Sequence, residues 1–442
     1  MHIVRASDAD HDARLNQAAA ASSLFDPIIE ERTRAIIEAV RTRGDAALIE
    51  FTQRFDGATL TPEQIPVTQA ERMQASLKAG PELRAAVTES AKNIAAFSKR
   101  SRRRDWSAKN SHGAQVGEVF QPFQRVGVYI PGGTAPLVST ALMTITLAKV
   151  AGCPEIVVCT PCGKDGTINP ALLFAANVAG ATEIHRVGGS QAIAAMVHGT
   201  ETIRPVHKVF GPGNAYVVAA KRLLFGHVSV DLLPGPSETL VLADDTADPR
   251  FIAADLLAQA EHGSGHERVW MVTPSATQLK AVEKEIARQL PSLNRREFIQ
   301  KVLEANTWLI QVGDLDAAVA LVNRLAPEHC EIMTRNPRAL VPRIHAAGAI
   351  FLGQGSPTVL GDYVAGPSHV LPTGGAGRSF AGLTVDQFQR RTSVVEYSKP
   401  ALRKALKGVE AFAGLEGLDG HGRSAAIRLE SSPGPTKTRK KH

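Results

Sequence analysis

The pattern of apolar and polar residues changes character near residue 116. Before it, apolar side chains recur at the spacing of amphipathic helices, and Asp26-Pro27 is typical of a helix N-cap followed by proline at the first helical position. After it, short apolar runs alternate with helical segments. The runs at 126–130, 183–187 and 208–210 each lead into a glycine-containing turn and then a helix. These successive strand, turn and helix units predict a parallel sheet covered by helices.

A second series of the same kind follows the first. Helices alternate there with four predicted strands, at 239–243, 269–272, 308–312 and 349–352. This predicts a second α/β unit of similar build, and a glycine-rich stretch at 371–379 separates it from a helical C-terminal section. In open parallel sheets, ligands bind beyond the carboxyl ends of the strands, where the glycine turns of the first series fall.

Length and composition fit a globular protein of more than one domain. The chain has 442 residues, 44% of them hydrophobic and 21% charged, the proportions of soluble globular proteins. No apolar run is long enough to cross a bilayer, and the N-terminus lacks the apolar segment of a signal peptide. We therefore expect a cytoplasmic protein with no membrane partner. Cys159 and Cys162 have CxxC spacing, but no second pair completes a zinc site, so buried thiols are favoured.

The formal net charge of +7 comes from two short basic blocks. Residues 99–104 supply five positive charges and residues 437–441 four more, so the remainder is close to neutral. The tail at 431–442 is expected to be disordered. The first block fits a solvated loop, since no aromatic platform accompanies it, and we expect no nucleic-acid partner. The rival hypothesis, a nucleic-acid-associated protein, predicts salt-sensitive binding to DNA or RNA.

A carboxylate and an imidazole stand together at the end of a predicted helix. Glu328 and His329 follow Pro327, which disfavours the helical conformation at Ala326. Adjacent residues of a strand point to opposite faces, so the two side chains can share a site only where the backbone is irregular. An imidazole can accept and return a proton near neutral pH. On these residues alone, a solvated loop pair is the better interpretation.

Two glycine turns at 188–191 and 211–214 offer backbone amides at helix starts, which suit a pyrophosphate. Tyr129, Gln191 and Asn214 fall at strand ends or helix starts and can form hydrogen bonds with a nucleotide there. A plain structural turn explains each glycine turn equally well by itself. Neither a GxGxxG nor a P-loop motif follows a predicted strand.

Gln259 and His262 close a predicted helix and share one of its faces, because they are three residues apart. Alone, this pair is a poor zinc site and fits a solvated helix end. Asp362, His369 and His421 lie in loop-like contexts elsewhere. The sequence does not show whether these side chains meet.

Eight motifs in order along the chain make the sequence similar to the histidinol dehydrogenase family. They are Tyr129-Ile-Pro-Gly-Gly133, Gly188-Gly-Ser-Gln-Ala-Ile-Ala194, Phe210-Gly-Pro-Gly-Asn214, Gly235-Pro-Ser-Glu238, Ala260-Glu-His-Gly263, Ala326-Pro-Glu-His329, Gly361-Asp-Tyr363 and His369-Val-Leu-Pro-Thr373. The resemblance covers nearly the whole chain. It implies an NAD+- and zinc-dependent oxidoreductase that converts L-histidinol through L-histidinaldehyde to L-histidine with two NAD+, in the last steps of histidine biosynthesis.

The resemblance also implies a role for each candidate residue. Glu328 and His329 match an acid–base pair: His329 takes the alcohol proton as hydride leaves for NAD+, and Glu328 activates the water that attacks the aldehyde. The zinc ligands match Gln259, His262, Asp362 and His421. The substrate contacts include these six residues together with Ser237, His369 and Glu416. The dinucleotide contacts match Tyr129, Gln191 and Asn214.

The fold implied by the resemblance consists of two Rossmann-like parallel-sheet domains of similar build with helical N- and C-terminal extensions, in an intertwined homodimer. The partner subunit is expected to supply Glu416 and His421. The expected division is an N-terminal arm at 1–25, a first α/β domain at 26–130 and 238–382 with the metal and acid–base residues, a second α/β domain at 131–237 that binds NAD+, a helical extension at 383–430 that reaches the partner, and the basic tail at 431–442.

The chain departs from the family pattern at two places beside candidate site residues. Residues 264–267 read Ser-Gly-His-Glu where the family often has Asp-Ser-Gln, and residues 367–368 read Pro-Ser where it usually has an Asn before the histidine. Paralogues on this scaffold oxidise other small alcohols, such as sulfonated diols, and such a dehydrogenase is the alternative function. The retained His369, Glu416 and His421 favour histidinol, whose imidazole and ammonium need such partners.

Overall fold

The structure, a computed structural model, describes residues 1–20, 26–132 and 136–430. The α-helices are α1 His11–Ala18, α2 Pro27–Arg43, α3 Asp45–Asp56, α4 Gln69–Lys78, α5 Pro81–Ser101, α6 Val138–Ala151, α7 Pro170–Ala179, α8 Gly189–His198, α9 Ala215–Leu224, α10 Pro249–Ala260, α11 Ala276–Gln289, α12 Arg296–Asn306, α13 Leu315–Leu325, α14 Thr358–Tyr363, α15 Lys399–Glu416 and α16 Asp419–Ala426. The strands are β1 His2–Val4, β2 Trp106–Lys109, β3 Gln115–Pro122, β4 Arg125–Tyr129, β5 Glu155–Thr160, β6 Glu183–Arg186, β7 Lys208–Phe210, β8 Ser229–Val230, β9 Glu238–Ala243, β10 Arg268–Thr273, β11 Thr307–Gln311, β12 His329–Met333, β13 Ala349–Leu352 and β14 Gln389–Glu396.

These elements form two compact units. The first contains Met1–Arg102 and Phe123–Phe388, and the second contains Arg103–Pro122 together with 389–430 of the described residues. The basic tail predicted at 431–442, residues 21–25 of the predicted N-terminal arm and part of the turn after β4 lie outside the described residues.

The larger sheet of the first unit has six strands in the order β1-β11-β10-β9-β12-β13, and each neighbouring pair is parallel. Apolar side chains of α10, α11 and α12 cover one face, and those of α13 cover the other. The central strand β9 is buried throughout, as expected where helices lie on both faces of a parallel sheet. The second α/β unit predicted from the sequence is confirmed.

The other sheet of the first unit has five parallel strands in the order β6-β5-β4-β7-β8. It contains the three predicted strand, glycine turn and helix units, which are β4 with α6, β6 with α8, and β7 with α9. The chain is therefore a mixed α/β protein with two parallel sheets, as predicted.

The helices before β4 pack on the five-stranded sheet. Ile36, Val40 and Leu48 of α2 and α3 share a cluster with Val157 of β5, and side chains of α4 and α5 share a second cluster with β4 and α6. By packing, residues 26–101 therefore belong with the five-stranded sheet, whereas the sequence analysis grouped 26–130 with 238–382. Helical periodicity predicts a buried face and does not identify the sheet that the face will cover.

The second unit is not purely helical. Its antiparallel sheet has the order β14-β3-β2, and β14 pairs with β3 over eight residues. The prediction of a helical extension at 383–430 is therefore wrong for residues 389–396, although α15 and α16 follow them. The strand β14 contains the charged residues Arg390, Arg391 and Glu396. Because charged residues are not typical of strands, the sequence did not indicate a strand there.

Local capping rules held where they were applied. Asp26 caps α2, because its carboxylate accepts from the backbone amides of Ile28 at 2.8 Å and Ile29 at 3.3 Å. Lys99 and Arg100 lie in the last turn of α5 rather than in the predicted loop. Positive charges at the C-terminal end of a helix interact favourably with the helix dipole.

In the described part of the chain, no helix combines the length and apolar character that crossing a membrane requires.

Candidate active site

The Glu-His pair lies at the amino ends of two neighbouring strands of the six-stranded sheet. His329 is the first residue of β12, and the register places it opposite Thr239 of β9. Glu328 directly precedes the strand, so the alternation of strand side chains does not force it to the opposite face. Both side chains therefore reach one site. This agrees with the expectation that they can share a site only where the backbone is irregular.

Glu328 is held by two hydrogen bonds to one carboxylate oxygen. Its Oε2 accepts from the hydroxyl of Ser237 at 2.6 Å and from the backbone amide of Glu238 at 2.8 Å. Burial raises the pKa of Glu328 above its ordinary value, although the charge of His329 and these two bonds act in the opposite direction. A carboxyl group with a raised pKa is suited to exchange protons close to neutral pH.

His329 has a defined tautomer. Its Nδ1 lies 3.0 Å from the carbonyl oxygen of Glu238, which can only accept, so Nδ1 carries the hydrogen. In the neutral imidazole, Nε2 is then the basic atom, and it lies 3.8 Å from Oδ1 of Asp362. The Nδ1 atom also lies 3.6 Å from Oε2 of Glu328. The side chain is thus oriented by the backbone of β9.

The residue before Pro327 has a strained backbone. Ala326 has φ +48°, and it is the one non-glycine residue of the described ranges with a positive φ. Pro327 was expected to keep Ala326 out of the right-handed helical region and to end α13, and α13 does end at Leu325. The left-handed conformation costs an alanine about 1–2 kcal/mol. It turns the chain from α13 into the Glu-His pair, so the strain coincides with the candidate site.

Glu238 is a residue whose part in the site the sequence analysis missed. Its backbone amide binds Glu328 and its carbonyl binds His329. Its buried carboxylate accepts from the amide of Gly374 at 3.1 Å and lies 3.6 Å from the guanidinium of Arg268. Burial raises the pKa of Glu238 to about 7. A glutamate at a strand start gave no signal beyond its place in the Gly-Pro-Ser-Glu motif.

Three of the predicted zinc ligands belong to the first unit. Gln259 lies in the last turn of α10, and His262, which was predicted to close that helix, lies two residues beyond its end. Asp362 lies in the short helix α14, where the sequence analysis expected a turn. The donors available from these side chains are oxygen and nitrogen, the types that Zn2+ accepts.

The amide of Gln259 is buried with one polar atom unpaired. Its Oε1 accepts from the Thr239 hydroxyl at 2.8 Å, whereas Nε2 has no partner among the described residues. Turning the amide by 180° places the oxygen at the unpaired position, and the Thr239 hydroxyl then accepts from the NH2 group. A buried amide oxygen without a protein partner suits a metal ion, so Gln259 fits the predicted ligand set.

His369 lies beside the same helix end. Its Nδ1 donates to the backbone oxygen of Asp362 at 3.1 Å, and its Nε2 lies 3.3 Å from the hydroxyl of Thr140. Burial lowers the pKa of His369, and the nearby charges of His329 and His262 act in the same direction. The first unit therefore brings His329, Asp362 and His369 together.

The remaining predicted residues, Glu416 and His421, belong to the second unit. Glu416 ends α15 and His421 lies in α16, and both are exposed. No group of three or more His, Cys, Asp or Glu side chains that could hold a metal ion occurs within residues 1–20, 26–132 and 136–430. The first unit supplies two such side chains and the amide of Gln259.

The predicted dinucleotide contacts line one large cleft at the carboxyl ends of strands in the five-stranded sheet. The cleft has a volume of about 2060 Å³, and its walls include Tyr129, Gln191 and Asn214. The hydroxyl of Tyr129 accepts from the amide of Gly189 at 3.0 Å. Asn214 caps α9 by accepting from the first amides of that helix. The three residues therefore line one cleft, and the binding of a dinucleotide there stays a prediction.

A buried ion pair holds one wall of this cleft, and the sequence analysis missed it. Lys221 and Asp231 both have fully buried side chains and pair with each other. Asp231 accepts from the amide of Gly211 at 2.8 Å, and Lys221 donates to the carbonyl of the same glycine at 2.9 Å. A Cβ atom on Gly211 would lie 2.0 Å from the carbonyl oxygen of Tyr129, so only glycine fits.

Comparison with known proteins connects this arrangement to one family. A family profile described as histidinol dehydrogenase matches residues 21–429. The chain is 48% identical to the histidinol dehydrogenase of Rhizobium meliloti over 396 residues, which cover 90% of this chain and 91% of the relative. It is 47% identical to that of Geobacillus kaustophilus over 404 residues, covering 91% and 95% of the two chains.

A solved structure of the same family also matches this chain. The crystal structure of histidinol dehydrogenase from Elizabethkingia anophelis matches with a TM-score of 0.92 and 34% sequence identity, and the match covers 97% of this chain and 98% of that one. The chain belongs to the histidinol dehydrogenase family. Histidinol dehydrogenase is an NAD-dependent oxidoreductase that acts on a CH–OH group, so the eight motifs identified the correct family and class of enzyme.

The two departures from the family pattern lie in segments that form hydrogen bonds within this chain. Buried Glu267 accepts from the amides of Ser264 at 2.8 Å and Gly265 at 2.9 Å, which closes the loop after His262 into a tight turn. The hydroxyl of Ser368 donates to the carbonyl of Met143 at 3.3 Å. The polar side chains of Glu267 and Ser368 in these two segments therefore form hydrogen bonds within the chain.

Proposed function

We propose that the residues gathered around Glu328 and His329 carry out a four-electron oxidation of L-histidinol to L-histidine, by way of L-histidinaldehyde and with two NAD+. The observation that carries this assignment of roles is the fixed tautomer of His329, whose Nδ1 donates to the carbonyl of Glu238. Family membership supplies the substrate and the reaction, and the site supplies a base and a second carboxyl group at the required place.

In the first oxidation, Nε2 of His329 accepts the alcohol proton. The C–H bond breaks at the same time, and its electron pair leaves as hydride for the nicotinamide ring. The carbonyl of Glu238 stabilises the imidazolium that forms, because it accepts from Nδ1–H in both protonation states. The nearby carboxylate of Asp362 adds favourable charge, since its Oδ1 lies 3.8 Å from Nε2.

In the second stage, Glu328 activates the water that adds to the aldehyde. Both hydrogen bonds that hold its carboxylate go to Oε2, so Oε1 remains to accept a proton from water. The aldehyde oxygen takes the proton that His329 gained in the first oxidation, which forms the hydrate and leaves His329 neutral. His329 then serves again as the base while the hydrate loses a second hydride to a second NAD+. A buried carboxyl group with a raised pKa can return its proton before the next turnover.

Zinc fits the donor set, and we assign it to Gln259, His262, Asp362 and the partner subunit's His421. The unpaired buried amide of Gln259 and the proximity of Asp362 to His369 support this assignment. Zinc at this position would orient the imidazole and amine of histidinol. The chain's own groups do the proton transfers.

A homodimer follows from the same assignment. Glu416 and His421 are exposed residues of the second unit, and we place them in the active site of the partner subunit, with Glu416 and Ser237 among the substrate contacts. The dinucleotide would occupy the cleft lined by Tyr129, Gln191 and Asn214, with its pyrophosphate at the helix starts.

The direct test is NADH formation by the zinc-loaded protein with L-histidinol. We expect two NADH per histidinol consumed, and loss of turnover after treatment with a chelator. A sulfonated diol in place of histidinol tests the alternative substrate. Turnover of the diol without turnover of histidinol would keep the NAD chemistry and discard the proposed substrate. Cytoplasmic location stays a prediction, which cell fractionation can check.

A further inference from the structure

Asp56 is a carboxylate without a protein partner on the wall of the dinucleotide cleft. It is the last residue of α3 and lines the cleft together with its neighbour Phe55. No described residue donates a hydrogen bond to Asp56, and its Oδ2 is buried. Buried carboxylate oxygens ordinarily accept hydrogen bonds. A group that lacks them in a ligand-sized cleft is available to a ligand.

Asp56 lines the same cleft as Tyr129, Cys162 and Gly189. The negative charge of Asp56 adds to the effect of burial in raising the pKa of Tyr129, and it also raises the pKa of Cys162, which burial takes to about 11. Tyr129 in turn accepts from the amide of Gly189, at the start of α8. Asp56 and the helix start to which we assign the pyrophosphate therefore line one cleft.

The residue before Asp56 provides an aromatic surface in the same cleft. The ring of Phe55 is 51% exposed, although it stacks on Phe51 with a centroid distance of 5.7 Å. The guanidinium of Arg54 lies 5.4 Å from the Phe55 centroid. No ion pair joins Arg54 and Asp56 in the described ranges, so the carboxylate charge is not neutralised by this arginine.

An exposed aromatic ring beside a free carboxylate matches the two parts of an adenosine. The ring offers a stacking surface for the base, and the carboxylate can accept from both hydroxyls of a ribose. A phosphate on the 2′-hydroxyl would remove one donor and bring negative charge against Asp56. An acidic residue that binds ribose hydroxyls is the usual way in which a nucleotide fold favours NAD+.

We propose that Asp56 accepts hydrogen bonds from the adenosine ribose hydroxyls of the dinucleotide and makes the protein selective for NAD+ over NADP+. The proposal deepens the proposed function and rests on dinucleotide binding in this cleft. It concerns recognition of the coenzyme and leaves the reaction at Glu328 and His329 unchanged.

The test measures coenzyme binding without substrate, by the fluorescence of NADH and NADPH, and turnover with L-histidinol separately. The wild type should bind NADH at least about 10-fold more tightly than NADPH. Asp56→Asn should weaken NADH binding and reduce this preference by about 10-fold, with NADPH binding unchanged or tighter. Glu50→Gln is the control, because Glu50 lies on the same helix, pairs with Arg43 and is not part of the cleft wall.

A second measurement needs no variant. AMP should displace NADH from the wild-type protein at least about 10-fold better than adenosine 2′,5′-bisphosphate does. Equal displacement, or equal loss of NADH and NADPH binding in Asp56→Asn, would overturn the role of Asp56 alone. A wild-type protein that binds no NADH and shows no turnover would overturn the proposed function as well. NADH binding without histidinol turnover would discard the substrate and leave the Asp56 result interpretable.

Discussion

The hydroxyl of Ser237 donates a hydrogen bond of 2.6 Å to Glu328, although 91 residues separate them in sequence. Ser237 directly precedes β9 and Glu328 directly precedes β12, and the two strands are parallel neighbours. The bond therefore joins the amino ends of adjacent strands. It fixes one oxygen of the carboxylate to which we assign water activation.

Ser237→Ala removes this bond and should lower kcat by about 10-fold or more, because hydrogen bonds to charged groups contribute about 1.5–3 kcal/mol. KM for NAD+ should stay unchanged, since Ser237 does not line the dinucleotide cleft. Steady-state kinetics with each substrate varied separately check both expectations. Ser292→Ala, at an exposed serine, is the control, and an unchanged kcat in Ser237→Ala would contradict the role of the bond.

His262→Asn should lose zinc and activity together and retain the fold. The side chain is exposed at the end of α10, so the substitution removes a metal donor without opening a cavity in the core. Zinc per chain, measured by atomic absorption, should fall well below that of the wild type, with an unchanged circular dichroism spectrum. His345→Asn, at another exposed histidine, should keep its zinc. A fully zinc-loaded His262→Asn protein would remove this residue from the ligand set.

The sequence predicted the elements because their causes are local. The N-cap at Asp26, the end of α13 before Pro327 and the strands of the parallel sheets follow from neighbouring residues, and the structure contains them. The eight motifs identified the family because all of them occur in the order typical of that family. Segment order and local chemistry were sufficient for that step.

Long-range packing was less accessible to prediction. Lys221 and Asp231 each look like solvated charges in the sequence, yet they form a buried pair because the chain returns at β8 to meet α9. Glu238 acts mainly through its backbone groups, which any residue possesses. The strand β14 forms because β3, far away in sequence, supplies its partner. Each of these features depends on a contact between segments that are not adjacent in sequence.

The proposed sharing of the active site between subunits predicts complementation. In a heterodimer of one His262→Asn subunit and one His421→Asn subunit, one site would carry both lesions and the other neither. We expect such a mixture to regain up to about half of the wild-type activity per heterodimer, while each homodimer stays inactive. Co-expression with two different affinity tags, tandem purification and an NADH assay check this. A correctly assembled heterodimer that is inactive and has lost zinc from both sites would place His421 in the site of its own subunit.

Lys221→Met should lower both stability and coenzyme binding. The substitution leaves Asp231 buried without its counter-charge, which costs on the order of 3–5 kcal/mol. It also releases the carbonyl of Gly211, the residue before Pro212 and Gly213 of the cleft wall. Thermal unfolding and NADH titration measure the two effects. Lys280→Met, on the exposed face of α11, is the matched control. Full NADH affinity in a destabilised Lys221→Met protein would show that the pair stabilises the fold without positioning the loop.

Buried Glu331 and half-buried Asp255 give the stability a defined pH dependence. Glu331 of β12 accepts from the amide and hydroxyl of Thr358 at 2.7 and 2.6 Å. Burial and the charge of Asp255 raise the pKa of Glu331 to about 8, and burial raises the pKa of Asp255 to about 6. The folded state then holds protons that the unfolded state has lost. The stabilisation from these bound protons is complete when the pH is below the pKa values that Glu331 and Asp255 have in the unfolded chain. It decreases as the pH rises toward 8.

Glu331→Gln should remove most of this dependence, because an amide can still accept from Thr358 and can donate to an ionised Asp255. The urea concentration at half unfolding should decrease between pH 5 and pH 8 in the wild type and change less in the variant. At pH 8 the variant should be the more stable protein, by an amount on the order of a few kcal/mol. Glu304→Gln, at an exposed glutamate, should keep the wild-type slope. A Glu331→Gln protein with the wild-type slope would assign the pH dependence to other groups.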